Sequence, residues 1–173
     1  MTKITKILLA SFFIVLIYTT YGFSESNNEE RETRIALTAY KAGDYTTALK
    51  KWRMLSEYGN SEAQYRLCTI YRRAHGVKKN IKKAFEYCNK SAKQGHVLAQ
   101  VRLGLMYKKG EGTNKNFIFA LKWLDIASNK KNSFANKMSK KLKKKMKFPE
   151  IQKSLELSSK WKRKNNKLSC DIK

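Results

Sequence analysis

Two stretches of this chain are nearly the same and lie a fixed distance apart. The stretch AQYRLCTIYRRAHG begins at Ala63, and AQVRLGLMYKKGEG begins 36 residues later, at Ala99. The same offset pairs Leu67 with Leu103, Tyr71 with Tyr107, Gly76 with Gly112, Asn80 with Asn116 and Ala84 with Ala120. A period of this length predicts an array of small units, each unable to bury its apolar face alone. Neighbouring units must therefore stack.

The spacing within one unit is helical. Ala63, Leu67 and Tyr71 fall at every fourth position, which places them on one face of a helix. A glycine then interrupts the pattern, and Asn80 is a residue type that begins helices. The spacing resumes until Gly95, which suits the end of a helix. Each unit is therefore predicted to be two antiparallel helices joined by a short turn.

This unit can be extended over most of the chain. We expect a polar linker at 25–32, repeat units at 33–60, 61–96 and 97–132, a closing helix at 133–147, a capping helix at 148–164 and a basic tail at 165–173. In the closing helix, Phe134, Met138, Leu142 and Met146 form a stripe that we expect to be buried. The predicted fold is all-α: an α/α superhelix, or solenoid, of about three helix-turn-helix repeats with a C-terminal capping helix.

The front of the chain has the pattern of an export signal. Lys3 and Lys6 precede an uncharged, mainly apolar run at 7–23, and a polar stretch follows. Cleavage near residue 24 would make 1–24 a signal peptide and place the mature chain in the periplasm or outside the cell. The alternative is an uncleaved anchor formed by 7–23, because the run is close to the roughly 18 residues of a spanning helix.

Positive charge is concentrated at the other end. The formal net charge is +25, and residues 130–173 contain 16 Lys or Arg and 3 acidic residues. Such a surface attracts acidic proteins, anionic lipid or nucleic acid. The ratio of 30 lysines to 8 arginines, together with export, disfavours nucleic acid. An anionic membrane surface fits better. The alternative is that the lysine content is only compositional.

Cys68 and Cys88 fall in the two helices of one unit, at about equal distances from the turn. Packed helix axes lie about 9 Å apart, and each backbone has a Cα radius of about 2.3 Å, so the two residues are within disulfide reach. Export would permit oxidation. The alternative is a pair of buried thiols. Cys170 has no evident partner within the chain.

Residues for metal binding or catalysis form no recognisable pattern. His75 and His96 are the only histidines, and their spacing from Cys68 and Cys88 matches no metal-binding motif. No glycine-rich phosphate loop and no inward-facing pair of carboxylates is evident. We therefore predict no metal, no cofactor and no catalytic site.

The repeated motif resembles a known family. The string A-Q-x-x-L-G-x-x-Y-x-x-G-x-G from Ala99, followed by A-x-x-W at 120–123, is similar to the Sel-one-like repeat (SLR) family, relatives of tetratricopeptide repeats. The resemblance covers about residues 33–164. Departures are Cys68 in place of the usual glycine, Lys131 in place of the glycine that ends a unit, and Phe148 in place of a capping Ser or Thr. The resemblance implies a non-catalytic scaffold for a protein or peptide.

By the same resemblance, first-helix residues that do not pack inward line a concave groove. These positions are Thr33, Leu37, Tyr40, Glu62, Tyr65, Thr69, Arg72, Leu98, Val101, Leu105 and Lys108. The binding candidates are Tyr40, Tyr65, Thr69, Arg72, Val101, Leu105 and Lys108, and they suit an extended or helical peptide. Alternatively, Val101 and Leu105 pack under the closing helix. The expected function is an exported scaffold at the cell envelope. The alternative is electrostatic binding of anionic lipid or polymer through the basic C-terminal region.

Overall fold

The computed structural model describes residues 28–170, with side chains up to residue 165, and this part of the chain is helical without strands. The helices are α1 at 28–41, α2 at Tyr45–Glu57, α3 at Ser61–Arg73, α4 at Ile81–Lys93, α5 at Val97–Lys109, α6 at Phe117–Ser128, α7 at Ser133–Lys143 and α8 at Phe148–Cys170. The predicted all-α fold is confirmed. None of the described helices combines the length and apolar character needed to cross a bilayer. The predicted signal peptide at 1–24 and the alternative anchor at 7–23 lie outside the described residues.

The chain divides into two compact units, and the boundary falls within α2, between Lys51 and Trp52. In the first unit, Lys51 forms an ion pair of 2.6 Å with Glu32 near the start of α1. Ala36 is fully buried one turn further along. The helix therefore includes residues 28–32, which the sequence analysis assigned to a polar linker. Their polar composition predicted a linker, but residues 28–32 form the start of α1.

Asparagine side chains begin four of the helices in the second unit. The Oδ1 atoms of Asn60, Asn80, Asn116 and Asn132 accept the backbone N–H three residues further on, at 2.7, 2.8, 3.0 and 2.8 Å. Each bond satisfies a donor that the first helical turn leaves without an intrahelical partner. Compared with alanine, such a cap contributes about 1 kcal/mol. The repeated asparagines therefore fix where the helices start.

The A-Q dipeptide of each repeat joins neighbouring helix pairs. Gln64 and Gln100 are both buried. The Nε2 atom of Gln100 donates to the carbonyl of Ala92 at 3.2 Å, and Gln64 donates to the carbonyl of Ser56 at 3.5 Å. Both acceptors lie eight residues earlier, near the end of the preceding helix. The glutamine thus ties each first helix to the second helix before it, and the preceding alanine leaves room for this approach.

Apolar side chains are buried between successive helix pairs. One core cluster joins α5, α6 and α7 through Val101, Ala120, Leu121, Leu124, Ala127, Ala135 and Leu142. Another joins α4, α5 and α6 through Ala92, Ala99, Leu103, Trp123 and Ile126. Leu67 and Leu103, which share one position of the repeat, are both fully buried. Stacking is therefore what shelters the apolar faces.

The turn inside each repeat closes in the same way. The N–H of Asn80 donates to the carbonyl of Tyr71 at 2.9 Å, and the N–H of Asn116 donates to the carbonyl of Tyr107 at 2.8 Å. Gly112, in the second of these turns, has a φ of +74°. A Cβ at that position would lie 2.5 Å from the carbonyl oxygen of Ile81 in α4. Glycine is required here because both the backbone conformation and the close approach exclude a side chain.

The burial of α7 differs from the sequence prediction. Phe134, which we expected in the buried stripe, is 51% exposed. The buried residues of this helix are Ala135, Ser139 and Leu142. A helix has 3.6 residues per turn, so a strict four-residue stripe rotates around it. The face that meets α6 is centred one residue away from Phe134.

A carboxylate bonds the backbone at the start of α8. The backbone N–H of Lys147 donates to the Oε2 atom of Glu150 at 2.8 Å, which is one half of a capping box. The helix also continues to Cys170, so residues 165–170 of the predicted tail are helical.

Polar and aromatic contacts hold α8 against α6. The hydroxyl of Ser158 donates to the Oδ2 atom of Asp125 at 3.0 Å, and the Nζ atom of Lys162 lies 3.3 Å from the same oxygen. The rings of Trp161 and Trp123 meet edge to face, with centroids 5.8 Å apart. Both contacts cover the last helix pair, as expected for a capping helix.

Candidate partner-binding surface

One side of the first helices is left uncovered in the second unit. Helix α4 packs against α3 and α5, and α6 packs against α5, α7 and α8. We call the side of α3, α5 and α7 that faces away from α4 and α6 the first-helix face. Candidate positions for this face recur every 36 residues: Glu62, Leu98 and Phe134; Tyr65, Val101 and Lys137; Thr69, Leu105 and Lys141; Arg72, Lys108 and Lys144.

A histidine connects α3 to the start of α5 at one end of this face. The Nε2 atom of His96 lies 2.7 Å from the Oε2 atom of Glu62, and its Nδ1 atom accepts the N–H of Ala99 at 3.2 Å. Because Nδ1 accepts, the neutral ring carries its proton on Nε2 and donates it to the carboxylate. The Tyr65 ring stacks on the imidazole, with centroids 4.8 Å apart. The contact therefore fixes both α3 side chains relative to α5.

Glu62 is held in its charged form. The hydrogen bond from His96 lowers the pKa of the Glu62 carboxyl, and burial opposes this effect. The guanidinium of Arg66, with Nε 2.6 Å from Oε1, lowers that pKa further. Glu62 therefore stays ionised near neutral pH, and its charge is paired with that of Arg66.

Two large apolar side chains are exposed on the face. Leu98 is 52% exposed and Phe134 is 51% exposed, and they occupy the same repeat position on α5 and α7. Val101 is only 8% exposed and belongs to the core, and Leu105 is partly buried against that core. Val101 therefore packs under the closing helix and is removed from the candidate surface. Sequence reasoning included Leu98 among the groove positions and missed Phe134.

Cations occupy the C-terminal end of the face. Arg72, Lys108 and Lys144 share one repeat position. The pKa of Arg72 is lowered, chiefly by burial and then by the charges of Arg102 and Arg73. Its buried Nε atom has no hydrogen-bond partner among the described residues. These cations lie at the C-terminal ends of their helices, where positive charge interacts favourably with the helix dipole.

The remaining predicted groove residues have different surroundings. The hydroxyl of Thr69 donates to the carbonyl of Tyr65 at 3.2 Å, so its donor is used within α3. Tyr40 lies in the first unit, where its ring meets that of Tyr45 edge to face at 5.4 Å. Among the predicted residues, the second unit thus brings together Tyr65, Thr69, Arg72, Leu105 and Lys108 on the first-helix face.

The two predicted cysteines are joined in the structure. A disulfide links Cys68 in α3 to Cys88 in α4, with a Cα–Cα distance of 5.2 Å, and both residues are fully buried. The equivalent residues of the next repeat are Gly104 and Leu124. A Cβ at Gly104 would lie 2.8 Å from the Cγ of Leu124. The disulfide therefore stands where the other repeat has a close glycine–leucine contact.

A metal site and a further cavity are the remaining candidate features of the described residues. Within residues 28–170, no three His, Cys, Asp or Glu side chains are grouped closely enough to hold a metal ion. An open hollow of about 350 Å³ is lined by Lys115, Asn116, Phe117, Ile118 and Glu150. The side chains of Asn116 and Glu150 bond the backbone at the starts of α6 and α8. Two of its polar side chains therefore serve helix starts, and the third, Lys115, lies with Nζ 4.9 Å from the centroid of the Phe117 ring.

Comparisons with known proteins agree with this architecture. A family model, the Sel1 repeat, matches residues 61–96 and 97–132. Among curated proteins, no sequence is significantly similar to this chain. Proteins with Sel1 repeats generally act as non-catalytic scaffolds for protein interactions.

Solved structures share the fold. One is a protective antigen present in uropathogenic Escherichia coli strains and displaying an SLR fold. It superposes with a TM-score of 0.74 at 26% sequence identity, and the match covers 80% of this chain and 30% of that chain. Another is a Sel1 repeat protein from Oxalobacter formigenes. It superposes with a TM-score of 0.59 at 32% sequence identity, and the match covers 62% of this chain and 44% of that chain. The chain thus spans less than half of either structure. The resemblance noted in the sequence is confirmed: residues 61–132 match two Sel1 repeats, and the chain is a helical repeat protein with the SLR fold.

Proposed function

We propose that this chain is an exported, non-catalytic scaffold that binds a polypeptide partner on the first-helix face, at the cell envelope. The observation that carries the proposal is the exposure of Leu98 and Phe134 at one repeat position of α5 and α7. An exposed aliphatic and an exposed aromatic side chain on neighbouring helices suit the apolar anchors of a peptide. Glu62 and Tyr65 border these anchors on α3, in a geometry fixed by His96.

The spacing of the helices suggests how a partner would lie. Packed helices are about 8–10 Å apart, and an extended peptide advances about 3.3 Å per residue. Side chains three residues apart on a crossing peptide would therefore reach successive helices. The cations at the other end of the face, Arg72 and Lys108, favour acidic residues in the partner. Long-range charge would raise the association rate, and the apolar anchors would supply selectivity.

Export is supported by the buried cysteine pair and by the N-terminal sequence pattern. A disulfide persists in the periplasm or outside the cell, where thiols are oxidised. The mature chain would be free in either compartment, or anchored by residues 7–23 if the signal is retained. N-terminal sequencing of the protein isolated from its native cell distinguishes these forms. Recovery of the unprocessed chain from the cytoplasm alone would contradict export.

The binding proposal is tested by capture from envelope extracts with matched variants. We expect Leu98→Ala/Phe134→Ala to lose the partners that the unaltered chain captures. Tyr58→Ala should retain them, because Tyr58 is 85% exposed but lies outside the first-helix face. All three substituted side chains are exposed, so thermal unfolding should stay nearly unchanged. Equal capture by the double variant and the unaltered chain would show that the first-helix face does not bind these partners.

A further inference from the structure

A segment of the second unit carries far more positive charge than the composition explains. Residues 130–147 contain nine lysines and neither aspartate nor glutamate. The lysine content of the whole chain predicts about three lysines in a segment of this length. General lysine richness therefore does not account for this segment, which comprises α7 and its flanking turns.

The lysines at the end of this segment point into solvent and are not neutralised. Lys140, Lys141, Lys144, Lys145 and Lys147 are exposed, and none forms an ion pair among the described residues. We call these five residues, together with Phe148, the lysine surface. The two described acidic groups of α8 do not pair with the side chains of these lysines. Glu150 binds the backbone N–H of Lys147, and Glu156 pairs with Lys153 and Lys160.

An exposed aromatic ring adjoins these charges. Phe148 is 71% exposed at the first position of α8, directly after the lysine-rich turn. Its ring belongs to neither core cluster of the second unit. An aromatic side chain beside several lysines is the combination found where a protein surface rests on a bilayer interface. The opposite side of α7 is anchored in the core through Ala135 and Leu142, so docking requires no unfolding.

We propose that the lysine surface binds the anionic headgroups of a lipid membrane, with the Phe148 ring entering the interface. Lysines near an anionic leaflet each strengthen membrane partitioning about fivefold. The segment 130–147 contains no arginine, whereas base and phosphate recognition in nucleic acids relies heavily on the planar guanidinium fork. Lys141 and Lys144 also belong to the first-helix face, so a membrane docked here would cover the α7 end of that face and leave α3 and α5 accessible. The proposal stands whether or not the first-helix face binds a partner.

Vesicle co-sedimentation of the full chain tests this directly. The vesicles would be phosphatidylcholine alone, and phosphatidylcholine with about one third phosphatidylglycerol, each at low and high salt, about 0.05 M and 0.5 M. The unaltered chain should bind the anionic vesicles at least tenfold more tightly, and high salt should remove most of this difference. The triple variant Lys140→Gln/Lys141→Gln/Lys144→Gln should lose at least tenfold in binding. Phe148→Ala should lose roughly severalfold, because an aromatic side chain leaves water on binding.

A control triple separates a local surface from net charge. Lys78→Gln/Lys79→Gln/Lys82→Gln removes the same charge from exposed positions between α3 and α4 and in the first turn of α4, and it should bind within about twofold of the unaltered chain. Equal loss in the two triples, or binding that ignores phosphatidylglycerol, would overturn the proposal. The proposal would also be overturned if the chain bound single-stranded RNA more tightly than anionic vesicles and Lys140→Gln/Lys141→Gln/Lys144→Gln weakened only the binding of RNA.

Discussion

The Nε2 atom of His96 lies 2.7 Å from the Oε2 atom of Glu62, and this contact joins the start of α5 to α3. At the equivalent positions 36 residues before and after, Asn60 and Asn132 cap their helices. His96 keeps that capping role through Nδ1. Its second ring nitrogen adds a bond that asparagine cannot make. One substitution in the repeat therefore supplies both a cap and a link between neighbouring units.

The link predicts a specific pH dependence of stability. Hydrogen bonding by His96 lowers the pKa of Glu62 in the folded chain below its ordinary value of 4.5. The unfolded carboxyl therefore binds protons first as the pH falls. The stabilisation is present above pH 4.5 and is lost as the pH falls through the lower, folded pKa. Because Glu62 is about one third exposed, we expect Glu62→Gln to cost about 1 kcal/mol or less at pH 7. In urea unfolding the difference should vanish in acid, whereas a constant difference would contradict the linkage.

The two roles of His96 can be separated by two substitutions. His96→Asn retains a capping side chain and loses the bond to Glu62, whereas His96→Ala loses both. We expect the alanine variant to be less stable than the asparagine variant by about 1 kcal/mol, the usual contribution of a cap. Urea unfolding at neutral pH measures the difference. Equal stabilities would show that a capping side chain at position 96 contributes nothing.

The disulfide should stabilise the second repeat without being required for its packing. Cross-linking Cys68 to Cys88 closes a loop with a sequence separation of 20, and closing a loop of this size contributes about 3 kcal/mol in the chain-entropy model. Cys68→Gly/Cys88→Leu copies the Gly104–Leu124 pair of the next repeat. We expect this variant to remain helical and to be less stable than the oxidised chain by about that amount.

Reduction of the unaltered chain supplies the matched comparison. The reduced chain and the Gly/Leu variant should unfold at similar urea concentrations, since both lack the cross-link. Circular dichroism monitors the helices, and a non-reducing digest shows whether the two cysteine peptides are linked. Separate peptides from the untreated protein would contradict the pairing.

Gly104 should tolerate no side chain. A Cβ there would lie 2.8 Å from the Cγ of Leu124 and 3.0 Å from the carbonyl oxygen of Ala120. Alanine is the better helix former, which favours Gly104→Ala by up to about 1 kcal/mol. The overlap with a fully buried leucine and with backbone costs about 1–3 kcal/mol and should outweigh that gain. We expect a lower melting temperature for Gly104→Ala, and a higher one would show that α5 and α6 can separate freely.

The repeat period and the asparagines were enough to predict the helix pairs, because caps and apolar spacing are local signals. Burial of the last helices was harder to predict, since it depends on how the stack ends. Phe134 was placed in a buried four-residue stripe, but the buried residues of α7 are Ala135, Ser139 and Leu142, and Phe134 is exposed like Leu98 at the same repeat position. Val101 was predicted to line the groove but is buried by the same helix. The cap supplied by His96 had no sequence signal beyond its alignment with Asn60.

The central claim is that stacked helix pairs leave the first-helix face as a docking surface for a polypeptide. Photo-crosslinking in the native cell tests it most directly, with the crosslinking residue placed at Leu98 or, as a control, at Glu86, which is exposed on α4. The account predicts a protein adduct from Leu98 that Phe134→Ala weakens, and no such adduct from Glu86. The same adduct from both positions, or an adduct from Glu86 alone, would contradict it.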